Sequence, residues 1–246
     1  MSSGELLAAA QDLSLAVAGL RFAAPVSTVY NPLTYAWSGH AAYLQQYGDG
    51  MHPIVFLGMN PGPFGMVQTG VPFGEVTLVR EWLGIDVPIE QPVDVHPKRP
   101  IEGFACRRSE VSGRRLWSAA ATAFGTPEPF FASSFVANYC PLAFVEASGR
   151  NLTPDKLPVA ERAPLYAACD AHLRRLVLTV GARWVIGVGG FAEDRARTAL
   201  AGMPITIGRI LHPSPASPAA NQDWAGKVAT ELQKLGLCAV MAPLPR

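Results

Sequence analysis

Between Ile54 and Glu75 the chain reads IVFLGMNPGPFGMVQTGVPFGE, and this stretch restricts the possible folds most. Its first four residues, Ile54-Val55-Phe56-Leu57, form an unbroken apolar run. A strand wetted on one face alternates polar and apolar side chains, whereas an unbroken run suits a strand covered on both faces, as in a parallel sheet. The next residues break into a loop holding Gly58, Gly62, Gly65, Gly70 and Gly74 with Pro61, Pro63 and Pro72. Glycine lets backbone approach a ligand closely and proline fixes φ, so the loop is both open and stiff. Asn60 stands just past the strand's carboxyl end, where open α/β sheets place their ligands. The pattern describes a binding site.

The rest of the chain supplies the other layers. Helical spacing is read over residues 5–19, 34–47, 75–83, 192–201 and 221–235, and in one long pattern from the Thr153-Pro154-Asp155 start signal to about Val180. Ser112 is placed as the N-cap of a helix that runs to Phe124 and stops at Gly125. Further strands are read at Ser134–Tyr139, Trp184–Val188 and Ile205–Leu211, and Asp86–Arg108 as a long surface loop. Strands alternating with helices predict an α/β fold, a three-layer α/β/α arrangement around a four-stranded parallel sheet. The expected organisation is one domain over 1–246, with an N-terminal helical segment, about 1–47, packed on it. Asn60, Asn138 and His212 each fall at or just after a different strand end. In a parallel sheet those ends share one edge, so topology alone brings the three toward a common pocket.

Composition removes several function classes. With 49% hydrophobic residues in 246, the chain can bury a full core. No run reaches the ~18 apolar residues of a membrane span, and the N-terminus lacks a basic leader, so no membrane partner and an intracellular location are expected. That means cytoplasm and nucleoid in a bacterium, or nucleus in a eukaryote. Cys106, Cys140, Cys169 and Cys238 show no close pairing, which reads as reduced thiols without an iron–sulfur cluster. The histidines His40, His52, His96 and His172 share no ligand spacing, so no metal and no cofactor are expected. A net charge of +1 means that any nucleic-acid contact must use local basic groups. Candidates are Lys98 and Arg99, Arg107 and Arg108, Arg114 and Arg115, and Arg150.

Three separated segments carry a resemblance. They are Gly58-Met59-Asn60-Pro61-Gly62-Pro63 with Gly70-Val71-Pro72-Phe73-Gly74, Asn138 in FVANYCPL, and His212-Pro213-Ser214-Pro215. Together they resemble the single-strand-selective monofunctional uracil-DNA glycosylase (SMUG) family. Tyr30-Asn31-Pro32-Leu33, His96-Pro97-Lys98-Arg99-Pro100 and Ser148–Pro154 are similar as well, so the likeness runs from about Tyr30 to about Leu237. It implies a DNA-repair enzyme of uracil-DNA glycosylase-like fold that swings uracil out of DNA and hydrolyses its N-glycosidic bond.

The chemistry fits these residue types. The sugar gains oxocarbenium character as the base leaves as an anion with charge on O2. His212 suits a donor to O2, worth ~3–4 kcal/mol in sites of this kind. Asn60 suits the holding of a water, by positioning rather than by deprotonation. Asn138 can accept from uracil N3–H and donate to O4, a pairing that cytosine reverses. By resemblance Phe73 stacks on the extruded base, and Met59 and Gly62 line its C5 side. The glycine leaves room there for a 5-substituent, which makes 5-hydroxymethyluracil a second expected substrate. The Pro213-Ser214-Pro215-Ala216-Ser217 loop looks like the family's wedge into DNA, with Ala216 where a basic residue often stands. No lysine falls within the motifs, so strand-cleaving lyase activity is not expected, and the partner is uracil-containing DNA bound by a monomer. Two alternatives stay open: a mismatch-directed uracil/thymine glycosylase, and a non-catalytic nucleotide-binding module.

Overall fold

The computed structural model describes residues 3–237, so Cys238 lies outside it. The N-terminal helix α1 (Ser3–Ala18) is followed by β1 (Val26–Tyr30), α2 (Pro32–Tyr35) and α3 (Trp37–Tyr47). The apolar run of the sequence becomes β2 (Ile54–Gly58), all five residues of which are buried. The glycine–proline loop then holds one short helix, α4 (Met66–Thr69), and α5 (Val76–Glu81) follows it. After the long loop come α6 (Val111–Phe124), α7 (Pro127–Phe131), β3 (Ser134–Asn138), β4 (Ala143–Glu146) and β5 (Asn151–Leu152). The chain closes with α8 (Val159–Thr179), β6 (Trp184–Val188), α9 (Gly190–Ala199), β7 (Thr206–Ile210) and α10 (Trp224–Lys234).

The main sheet has the order β3-β2-β6-β7, and every neighbouring pair is parallel. This is the expected four-stranded parallel sheet flanked by helices. A second, antiparallel sheet, β1-β4-β5, was not anticipated. Its pairing of Val26 with Glu146 joins residues about half the chain apart, and β5 has only two residues, too few for a readable alternation.

Three differences from the sequence reading go beyond a shift of a few residues at an element's end. The predicted 34–47 helix divides at Ala36 into α2 and α3. The long helix begins at Val159, because Pro154–Lys156 forms a separate 3-10 turn before Pro158. Helix α6 is capped by Glu110, whose carboxylate accepts from the Ser112 N–H at 3.4 Å, so Ser112 is inside the helix rather than its cap.

The long loop is anchored at several points. Buried Gln68 donates to the Pro63 and Pro100 carbonyls and accepts from the N–H groups of Glu102 and Gly103, at 2.8–3.1 Å. Tyr30 OH accepts from His96 N at 2.8 Å and donates to the Arg99 carbonyl at 2.7 Å. The free thiols Cys106, Cys140 and Cys169 are all buried. No described helix is long and apolar enough to cross a membrane.

Candidate active site

The carboxyl edge of the parallel sheet opens into a cavity of about 350 Å³, toward the small end of the range for ligand sites. Met59, Asn60, Gly62, Phe73, Asn138 and His212 all line it, joined by Met66, Glu110, Asn151 and Ser214 among others. Asn138 is the last residue of β3, while Asn60 and His212 stand two residues beyond β2 and β7. The convergence argued from topology is therefore present. A larger groove of about 510 Å³ between α6 and α10 contains none of these residues.

Each polar side chain is committed at one end and free at the other. Asn60 Nδ2 donates to the Leu142 carbonyl at 3.1 Å, which leaves Oδ1 as an acceptor. Asn138 Nδ2 donates to the Met66 sulfur at 3.2 Å. A flipped amide would set its oxygen against that sulfur, so Met66 favours one orientation. Methionine sulfur is a weak acceptor, and the preference is correspondingly modest. His212 Nδ1 accepts from the Ser214 N–H at 3.0 Å. Burial pushes the His212 pKa below its ordinary value, so the ring is neutral and carries its proton on Nε2.

Phe73 adopts φ +53°, in the left-handed region that a non-glycine residue enters at a cost of about 1–2 kcal/mol. Its carbonyl packs against Gly113 of α6, where any side chain would overlap it. Trp117 Nε1, one turn further on, donates to the Pro72 carbonyl at 3.3 Å. The ring itself lies over Gly58, where an added methyl would come within 2.6 Å of it and would overlap Asn138 Oδ1.

The space beside Gly62 is occupied. A side chain there would meet Glu110 Oε2 at 2.5 Å, and one at Gly65 would meet Glu110 Cγ at 2.9 Å. Glu110 also accepts from the Phe64 N–H, and burial raises its pKa despite those hydrogen bonds. A β-carbon at Gly62 would thus run into the Glu110 carboxylate, which itself lines the cavity. Sequence reasoning missed Glu110; an acidic residue beside a predicted helix start was the available signal.

Around the mouth, the Arg108 guanidinium lies 4.0 Å from the Phe64 ring centroid and that of Arg99 5.4 Å away. Among the described residues, neither these nor Lys98 and Arg107 pair with a carboxylate. Arg150 is exposed and 3.8 Å from Glu146, next to cavity-lining Asn151. Arg114 is exposed. Arg115 is not a free surface cation, since it donates to Pro213 and Asn221. In the 213–217 segment, Pro215 and Ala216 are exposed at the tip, while Pro213 is buried. No three His, Cys, Asp or Glu side chains among the described residues gather to hold a metal ion.

Comparison with known proteins decides the family. The chain is 50% identical over 227 residues to the single-strand selective monofunctional uracil DNA glycosylase of Mus musculus, covering 92% of this chain and 81% of that protein. The protein of that name from Rattus norvegicus is 51% identical over 227 residues, again 92% of this chain and 82% of its own length. The chain belongs to the single-strand selective monofunctional uracil-DNA glycosylase family. The Bos taurus member is 51% identical over 220 residues, 89% of this chain and 81% of its own. No protein-family model matches the chain. At the level of fold, the crystal structure of wild-type Pedobacter heparinus SMUG2 aligns with TM-score 0.69 at 21% identity, over 95% of this chain and 97% of that one. The glycosylase family's fold thus extends to a structure of low sequence identity.

Proposed function

We propose that this family member excises uracil from DNA by hydrolysing its N-glycosidic bond, leaving an abasic site. One observation carries the reading: three polar side chains from three strand ends face one cavity, each with its free atom of the required type. His212 Nε2–H is the donor to uracil O2. A neutral imidazole suffices, because the developing anion needs a preplaced hydrogen bond. Asn60 Oδ1 is an acceptor that holds the attacking water, and it has no proton-accepting strength beyond that. Asn138 accepts from N3–H through Oδ1 and offers its remaining N–H to O4, with Phe73 stacked on the ring.

The Glu110 carboxylate beside Gly62 gives the C5 side an acceptor, which suits the hydroxyl of 5-hydroxymethyluracil. No lysine lines the cavity, in keeping with hydrolysis and no Schiff base. Ser214–Ser217 and Arg150 flank the mouth as DNA contacts, whereas Pro213, expected among them, is buried and only supports the loop, and the protein acts as a monomer.

The test is base release from labelled oligonucleotides carrying uracil, 5-hydroxymethyluracil or thymine, single-stranded and duplex. Uracil release without strand cleavage is expected, with His212→Leu slower by about 10². Absence of uracil release from every substrate would overturn the reading, and preferred release of thymine from G·T pairs would redirect it to mismatch repair.

A further inference from the structure

Arg115 does not line the cavity, yet one peptide group connects it to His212. The Pro213 carbonyl and the Ser214 N–H belong to the same amide. Its N–H donates to His212 Nδ1 at 3.0 Å, and its oxygen accepts from Arg115 Nη1 at 2.8 Å. We propose that Arg115 is a positioning residue for base excision: it sets the plane of the Pro213–Ser214 peptide and so holds His212 with its proton on Nε2, facing the cavity.

A peptide unit is rigid, so a rotation that frees the carbonyl also swings the N–H away from the imidazole. A cation on the carbonyl oxygen additionally polarises the amide and makes its N–H a stronger donor. The guanidinium serves this segment alone. Its other hydrogen bond goes to Asn221 Oδ1 at 3.0 Å, and Asn221 returns a hydrogen bond to the Pro215 carbonyl at 3.0 Å. Among the described residues no carboxylate pairs with Arg115.

The residue before His212 is held from a different element. Leu211 N donates to Glu231 Oε2 at 2.7 Å, and the Leu211 carbonyl accepts from Trp224 Nε1 at 2.8 Å, both from α10. Helix α10 therefore fixes where the ring is, and α6, through Arg115, fixes which nitrogen carries the proton. If Nδ1 took the proton, Nε2 would present a lone pair to uracil O2 and repel the charge that it should stabilise.

This inference rests on His212 acting as the O2 donor, and the experiment separates the two. Full-length protein with ¹⁵N-labelled histidine is compared as wild type, Arg115→Met and Arg115→Lys. Nitrogen chemical shifts report the His212 tautomer in the free protein, and single-turnover kinetics report uracil release. Arg115→Met should shift a measurable fraction of His212 to the Nδ1–H form and slow release about 10-fold or more, as small displacements of reacting groups do. Arg115→Lys keeps a charged donor and should recover part of both. An unchanged tautomer in Arg115→Met overturns the proposal, even with a slowed rate, because the arginine would then only support the loop. Should Arg115→Met fail to fold, Arg115→Gln, which retains one donor, gives the same two readouts. A shifted tautomer with no uracil release from wild type would leave Arg115's effect intact and place the error in the functional reading.

Discussion

At the scale of single residues, the cavity is shaped as much by missing side chains as by present ones. Gly58 lets the Phe73 ring and the Asn138 amide meet over bare backbone. Gly58→Ala would force apart the two groups assigned to stacking and edge reading. We expect it to slow single-turnover uracil release by about 10² while costing about 1–3 kcal/mol of stability, the usual range for overpacking. A wild-type rate would show that neither group needs its present position. Asn60, Asn138 and His212 were legible in the sequence because strand ends of a parallel sheet share an edge, whatever the details of packing. Glu110 was not. Its place depends on the absence of β-carbons at Gly62 and Gly65, more than forty residues earlier in the chain, and no local pattern encodes such a distant fit. Arg115 was misjudged for a related reason, since a cation looks the same in sequence whether it meets solvent or a carbonyl.

At the scale of elements, α6 braces the site. Its cap residue Glu110 packs on the glycine loop, Gly113 receives the Phe73 carbonyl, Trp117 holds Pro72 and Arg115 reaches Pro213. The expected Ser112 cap and the Gly125 stop announced the helix, and unbroken apolar runs announced the main sheet. The cap was misplaced by two residues because serine is the commoner cap and glutamate the rarer one. The β1-β4-β5 sheet went unread because its strands are short and its pairings distant. The brace has an electrostatic consequence. Glu110's folded pKa is raised by burial, so the folded protein holds this proton more tightly than the unfolded chain. Stability therefore falls as pH rises from the unfolded value of ~4.5 through the folded one. Glu110→Gln removes that cost. At pH 8 its urea midpoint should equal or exceed that of wild type, while uracil release slows because the anionic brace on the Phe64 N–H is weakened. A midpoint lower at pH 8 than at pH 5, relative to wild type, would mean that the carboxylate is a net stabiliser.

At the scale of the whole molecule, buried histidines set the response to acid. His40 is 8% exposed, sits on α3 and directs Nδ1 at the Gly70 carbonyl, 2.9 Å away, so it ties the helical layer to the site loop. Burial lowers its pKa to about 4. His172 is lowered to about 4 as well, with Nδ1 at 3.2 Å from the Ala9 carbonyl, but part of its side chain meets solvent and its share is smaller. In the unfolded chain both titrate near 6.5. Between about 6.5 and 4 the unfolded chain therefore binds protons that the folded protein does not, so stability falls as pH falls through that window. The loss from His40 should reach about 2–3 kcal/mol by pH 4.5. Chemical denaturation from pH 8 to 4.5 should show wild type weakening from about pH 6.5, and His40→Gln, which keeps an N–H donor for Gly70, should make that slope shallower, the remainder coming from His172 and the other histidines that burial lowers, His52 and His212. A wild-type profile flat to pH 5 would mean that His40 is charged inside the fold. Because Gly70 closes α4 in the loop that carries Asn60 and Phe73, acid should also loosen the cavity before it unfolds the sheet, so uracil release should decline at a higher pH than the secondary structure does.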